Sequence, residues 1–246
     1  MTARALAPGE LRRRASELEP LVASRLGALR ERIERAGGDP GAVRVVAVTK
    51  THGPEAVLAA LAAGIVDIAE NYAGELLAKA AEVSAVAQAE PGRLPSPVWH
   101  LIGAIQRNKI GRLAPVVTWW QSLWRPEEVA SLARHGESSR AKVLVEVNLA
   151  GDPGRPGCAL SQSAGVVARA RQAGLDVRGL MAVAPVGPPG SAEPGFRAVA
   201  AEAARLGLPE LSLGMSGDLE EAVRAGTTMV RIGTALFGPR DPRAPR

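Results

Sequence analysis

Only four lysines, Lys50, Lys79, Lys109 and Lys142, occur in a chain whose other cationic side chains are arginines. Lys50 ends the apolar run Val43-Arg44-Val45-Val46-Ala47-Val48-Thr49-Lys50. A guanidinium stays protonated and cannot add to a carbonyl, whereas an amine can once it loses its proton. A lysine at the end of a buried strand is therefore a Schiff-base candidate; the alternative is a strand cap in an arginine-biased composition. Other chemistry-bearing residues also follow β-branched runs: Glu70-Asn71-Tyr72, His100 through Gly103 with Gln106, Asn108 and Lys109, Glu146 to Asn148, Met181, Gly214-Met215-Ser216, and Arg231-Ile232-Gly233-Thr234. Gly233 permits close backbone approach, the hydroxyls of Ser216 and Thr234 can donate to phosphate oxygens, and Arg231 can face the rest of a ligand. An amine opposite a phosphate cradle describes a phosphorylated aldehyde or ketone. Each residue also has a plainer role. Gly-Thr forms ordinary turns, Ser216 can cap a helix starting near Asp218, Asn71 can end a strand, and His100 can be a satisfied core histidine. Gln106 and Lys109 suit a solvated helix face, Lys79 a surface helix and Lys142 a strand start. With His52, His100 and His135, no HExxH and a lone Cys158, no metal site is expected.

Positioning these residues together requires a particular set of elements. Leu11, Leu18, Leu21, Val22, Leu26, Leu29 and Ile33 recur at helical spacing, and Gly37-Gly38-Asp39-Pro40 ends the pattern. Beyond Gly41, short β-branched runs alternate with alanine-rich helical stretches. Strands are expected at 43 to 50, 65 to 71, 98 to 103, 116 to 123, 142 to 149, 177 to 184, 210 to 216 and 228 to 233. Helices are expected at 54 to 63, 72 to 89, 106 to 113, 126 to 135, 160 to 173, 193 to 206 and 218 to 225. Strands apolar on both faces and separated by helices indicate a helix-covered parallel sheet. Eight such units predict an α/β fold: a single TIM-type (β/α)8 barrel with an extra N-terminal helix. An open doubly wound sheet is the alternative, because the fourth unit is short and Trp119-Trp120 is unusual inside a strand; no Gly-rich dinucleotide fingerprint follows the first strand. The organisation expected is a helical extension over 1–40 packed on the barrel, the barrel over 41–240 and a short basic tail over 241–246. The Pro/Gly-rich stretches 90–97 and 185–195 read as insertions.

The chain has 246 residues, 46% of them hydrophobic but only 3% aromatic. Ala, Val and Leu must fill the core, and the stacking platforms of single-strand nucleic-acid binders are not expected. Net charge is +5, concentrated in Arg12-Arg13-Arg14, Arg25, Arg30, Arg32, Arg35 and the tail from Arg240. Glutamates interleave with the first group, which reads as a solvated helix face rather than a nucleic-acid or lipid contact. One cysteine fits a reducing compartment and a cytoplasmic location. No secretory h-region or membrane-length apolar run is present, so no membrane association is expected.

At these residues the sequence resembles the pyridoxal phosphate homeostasis protein family (YggS/PROSC type), related to the barrel domain of alanine racemases. The matching segments are Ala47-Val48-Thr49-Lys50, Glu70-Asn71-Tyr72, Trp99 through Gly103 with Gln106 through Lys109, Gly179-Leu180-Met181, Leu213 through Ser216, and Met229 through Gly238. They run from about residue 43 to 240 and are highly specific in this order. The resemblance implies a fold-type III protein carrying pyridoxal 5′-phosphate (PLP) on Lys50 as an internal aldimine. It further implies that Ser216, Gly233 and Thr234 hold the phosphate, Arg231 faces the pyridine nitrogen, and Asn71 and Met181 line the cofactor. Thr49, Ala69 and Arg155 depart from the usual serine, glycine and lysine.

Alanine racemases use a tyrosine base from an additional β-rich domain, which this sequence does not show; its one tyrosine is Tyr72. The expectation is a PLP-binding protein of intracellular PLP homeostasis, storing and delivering the cofactor with little or no catalysis, possible recipients being apo PLP-dependent enzymes. It is expected to be a monomer or weak homodimer. The alternatives are a PLP-dependent amino-acid racemase and a Schiff-base aldolase barrel without cofactor.

Overall fold

The computed structural model describes residues 6–135 and 141–239. The tail from Arg240 lies outside them. Eight parallel strands run β1 (Arg44–Val48), β2 (Asp67–Glu70), β3 (Val98–Leu101), β4 (Val117–Leu123), β5 (Lys142–Asn148), β6 (Asp176–Val183), β7 (Glu210–Ser212) and β8 (Met229–Ile232). Each pairs with the next in sequence, and β8 pairs with β1 in the register Val45↔Val230 and Ala47↔Ile232. That closure excludes the open sheet. The helices are α1 (Pro8–Arg35), α2 (Pro54–Ala62), α3 (Ala73–Ala89), α4 (Ile110–Leu113), α5 (Pro126–Ala133), α6 (Ser163–Gln172), α7 (Glu193–Arg205), α8 (Leu219–Arg224) and α9 (Thr234–Phe237). Two differences from the sequence reading are local: 106 to 113 divides into a 3-10 turn and the short α4, and α9 is too short to show periodicity.

The outward faces of the strands meet the helices in one continuous apolar core that includes Leu58, Ile68, Leu101, Trp120, Val145, Leu180 and Ile232. The inward face is not uniformly apolar as read. Val46, Val48, Ala69, Trp119, Leu144, Met181 and Met229 form a small inner cluster, and buried His100, Gln121, Glu146, Ser212 and Arg231 occupy other positions on these strands. Strand periodicity also resolves the tryptophan pair, because successive side chains point to opposite faces. Trp120 enters the outer core, whereas Trp119 enters the barrel and lies nearly parallel to the His100 ring at 5.7 Å. Arg44 and Lys142 lie over Trp119 at 5.2 and 5.1 Å, two cation–π contacts at the strand-start end.

Helix α1 buries Leu11, Ala15, Val22, Leu26, Leu29 and Ile33 and packs on α2, α3, α8 and α9. Its arginines divide into two groups, which corrects the reading of one solvated face. Arg13 and Arg14 pair with neighbouring glutamates on the exposed side. Arg25 donates to the Leu236 carbonyl at 2.9 Å, and Arg32 grips Glu220 with two bonds of 2.7 and 2.9 Å while reaching Ser216 O at 3.2 Å. The helix therefore braces the loops that follow β7 and β8. Among the described residues no helix is long and apolar enough to cross a membrane.

Candidate functional site

Parallel strands in a closed barrel bring their carboxyl ends to one mouth. A cavity of about 260 Å³ opens there, lined by Val48, Lys50, His52, Ile102, Met215, Ser216, Gly217, Arg231, Gly233, Thr234 and Gly238. It brings together Lys50, Ser216, Arg231, Gly233 and Thr234 as the sequence predicts. Asn71 and Met181 do not line it. Met181 is buried in the inner cluster below, and Asn71 directly follows β2 with its Oδ1 buried and without a hydrogen-bond partner among the described residues. A Cβ on Gly103 would come within 2.0 Å of the Asn71 carbonyl oxygen, so only glycine permits this approach. His52, Ile102, Met215 and Gly217 also line it, although the sequence reading gives none of them a role there: Ile102 and Met215 appear only as members of strand-end segments, and His52 is weighed only as a metal ligand.

On the β1 side, the chain before and after Lys50 is pinned by a buried charge cluster. Lys79, read as a surface residue, is 4% exposed. Its ammonium donates to Thr49 O and Glu70 Oε1, each at 2.6 Å, and to Glu75 Oε1 at 2.7 Å. Those three bonds use its full donor capacity. The same Glu70 oxygen accepts from the Thr49 hydroxyl at 2.6 Å, and the same Glu75 oxygen accepts from the Thr51 N–H at 2.7 Å. Burial pushes the Glu70 carboxyl above the ordinary carboxylate range, opposed by the Lys79 charge. Thr51 sits at φ 66°, a conformation that a β-branched residue adopts only when its surroundings impose it. The Glu75/Lys79 spacing of four was the available signal for this cluster, but such pairs usually lie in solvent.

On the opposite side, Arg231 is 3% exposed. It donates from one terminal nitrogen to Ser212 O at 2.5 Å and Ser212 Oγ at 2.7 Å, and from the other to Ala182 O at 2.8 Å. Burial brings the guanidinium down to about 10, partly offset by Glu146, so it remains charged at neutral pH. Glu146 is pushed up to about 7 by burial, with Arg231 opposing the rise. Desolvation also raises the Cys158 thiol to about 11, which leaves it unreactive. Ser216 Oγ accepts from the Ala235 N–H at 3.3 Å, joining the two loops. A Cβ on Gly233 would lie 3.3 Å from the carbonyl oxygen of Val48, itself a lining residue.

His100 lies within the barrel, bonded to Asp67 and Gln121. Gln106 and Asn108 are exposed. Tyr72 is 52% exposed before α3 and does not line the cavity. Among the described residues no group of three His, Cys, Asp or Glu could hold a metal ion.

The family model of the alanine racemase N-terminal domain matches residues 24–241. The pyridoxal phosphate homeostasis protein of Pseudomonas aeruginosa is 38% identical, over 91% of this chain and 96% of its own. The structure of PipY from Synechococcus elongatus with PLP bound superposes with a TM-score of 0.75 at 32% identity, covering 88% of this chain and all of that one. Alanine racemase of Clostridium difficile, 13% identical with a TM-score of 0.66 over 58% of its length, shares the fold.

Proposed function

The chain belongs to the pyridoxal phosphate homeostasis family, within the alanine racemase N-terminal domain group, and from that membership we propose that it binds pyridoxal 5′-phosphate in the barrel mouth and serves intracellular PLP homeostasis. The observation that carries this reading is the convergence of Lys50, Arg231, Ser216, Gly233 and Thr234 on one cavity. The residues fit the group. An amine suits an aldehyde, a side-chain-free Gly233 with flanking hydroxyls suits a phosphate, and the orphaned Asn71 Oδ1 beside the mouth suits a polar ring substituent.

When bound, PLP supplies an aldehyde that captures amines and a pyridine ring that can act as an electron sink. Lys50 provides the amine. Ser216, Gly233 and Thr234 would hold the phosphate and Arg231 would serve the pyridine nitrogen; Asn71 and Met181, which stand outside the cavity lining, would take part only as neighbours of that lining. A protonated Arg231 beside a ring nitrogen disfavours a proton there and so weakens the sink. The one tyrosine lies outside the cavity lining, which leaves no tyrosine of this chain to serve as a base at Lys50. Both features favour holding and handing over the cofactor with little or no turnover.

The protein acts in the cytoplasm as a monomer or weak homodimer, and its recipients are apo PLP-dependent enzymes. Incubation of the loaded protein with such an apo-enzyme should restore the recipient's activity while the donor loses cofactor. Retention of the cofactor would contradict the reading. Deuterium wash-in from heavy water into an amino acid at turnover rates would establish a racemase instead.

A further inference from the structure

Beneath Arg231 a chain of short hydrogen bonds runs through the barrel interior. Arg231 reaches Ser212 Oγ at 2.7 Å, and Ser212 Oγ reaches Gln121 Oε1 at 2.6 Å. Gln121 Nε2 lies 2.7 Å from His100 Nδ1, and His100 Nε2 lies 2.8 Å from Asp67 Oδ1. These residues come from β8, β7, β4, β3 and β2, and His100, Gln121 and Ser212 are wholly buried.

With a neutral His100, the carboxylate end fixes the direction of every bond up to Arg231. A guanidinium only donates, and an ionised carboxylate only accepts. Asp67 therefore requires the proton of a neutral imidazole on His100 Nε2, which makes Nδ1 an acceptor. Gln121 must then present its amide N–H₂ to His100 and its oxygen to Ser212. The Ser212 hydroxyl proton goes to Gln121, leaving its lone pairs for Arg231. Adding a proton to His100 Nδ1 sets a donor against the Gln121 amide. The amide must turn over, Ser212 loses its acceptor, and its hydroxyl must find another orientation.

We propose that His100, Gln121 and Ser212 are positioning residues that set the guanidinium of Arg231 through this one-way chain, and that a proton gained by His100 reverses the Gln121 amide and releases the setting. This rests on the PLP reading only for what Arg231 meets in the cavity. The other groups facing His100 are Arg44 from β1 and Glu210 from β7, with Lys142 from β5 across the stacked Trp119. Arg44 opposes the extra proton, while Asp67 and Glu210 favour it. Burial outweighs both and pushes the imidazole below its ordinary range.

The test uses unloaded full-length protein with nitrogen-15 histidine and arginine. His100 and Arg231 resonances are assigned by their loss in His100→Gln and Arg231→Lys. His100 is expected to show the neutral Nε2–H tautomer at pH 7. On acidification the Arg231 side-chain signal should move with the same midpoint as His100. Gln121→Glu, which accepts from both neighbours, should raise the His100 midpoint by about two pH units or more. Ser212→Ala should uncouple the two titrations and keep the His100 tautomer. An Nδ1–H tautomer, a cationic His100 at pH 7, or an Arg231 signal indifferent to the His100 titration would overturn the proposal. Absence of PLP binding would defeat the functional reading instead, because none of these signals requires the cofactor.

Discussion

The two cationic residues of the mouth are held by opposite means. Around Lys50 the backbone on both sides is clamped by charges, Lys79 against Glu70 and Glu75. Across the cavity Arg231 rests on backbone carbonyls and a hydroxyl backed by neutral groups. Buried charges are costly unless fully paired, so the first wall is rigid but fragile to loss of one partner. The second wall can instead reverse the direction of its bonds without moving a charge, so it suits a side chain whose setting has to respond.

The largest expected effect comes from the charged wall. Lys79→Met should destabilise the fold by roughly 3–5 kcal/mol, because Glu70 is left buried without its cation. Urea unfolding measures this, and Glu70→Gln in the same chain should restore a large part of it. Equal destabilisation in the double variant would break the contrast between the walls.

The next effect depends on pH and belongs to the Arg231 side. Glu146 sits at about 7 in the fold against an ordinary 4.5, so the folded state holds the proton more tightly than the unfolded chain. Its favourable contribution is complete below about pH 4.5 and is lost as pH rises through 7. Glu146→Gln should therefore match the parent in acid and gain on the order of 3 kcal/mol relative to it above pH 7. Thermal unfolding from pH 5 to 8 checks the sign; a gain confined to acid would contradict it.

Smaller effects concern the cavity itself. Gly233→Ala should weaken PLP binding about tenfold, roughly 1.4 kcal/mol, through crowding at Val48 O, with stability nearly unchanged. Equilibrium titration of the cofactor band measures it. Thr51→Gly should raise stability by up to about 1 kcal/mol, since glycine carries no penalty at φ 66°. If Thr51→Gly is destabilising instead, the Glu75 clamp does not impose that conformation.

The sequence made the barrel legible because the alternation of strands and helices is strong and most strands end in distinctive polar residues. Lys50, Ser216, Arg231, Gly233 and Thr234 were readable for the same reason. Lys79 was not, because an i,i+4 Glu/Lys pair looks the same in sequence whether it faces solvent or Thr49 O. The chain below Arg231 was also hidden. His100, Gln121 and Ser212 lie on separate strands, and only closure of the barrel brings the Gln121 side chain within 2.7 Å of both the others. Arg25 and Arg32 read as surface charge because their partners, Leu236 and Glu220, lie about two hundred residues away.

The most direct measurement is hydride reduction of the PLP-loaded protein followed by peptide mass spectrometry. The pyridoxyl group should be found on the peptide containing Lys50 and should disappear in Lys50→Ala. A label on Lys79, Lys109 or Lys142, or no label at all, would contradict the assignment of the mouth as the cofactor site.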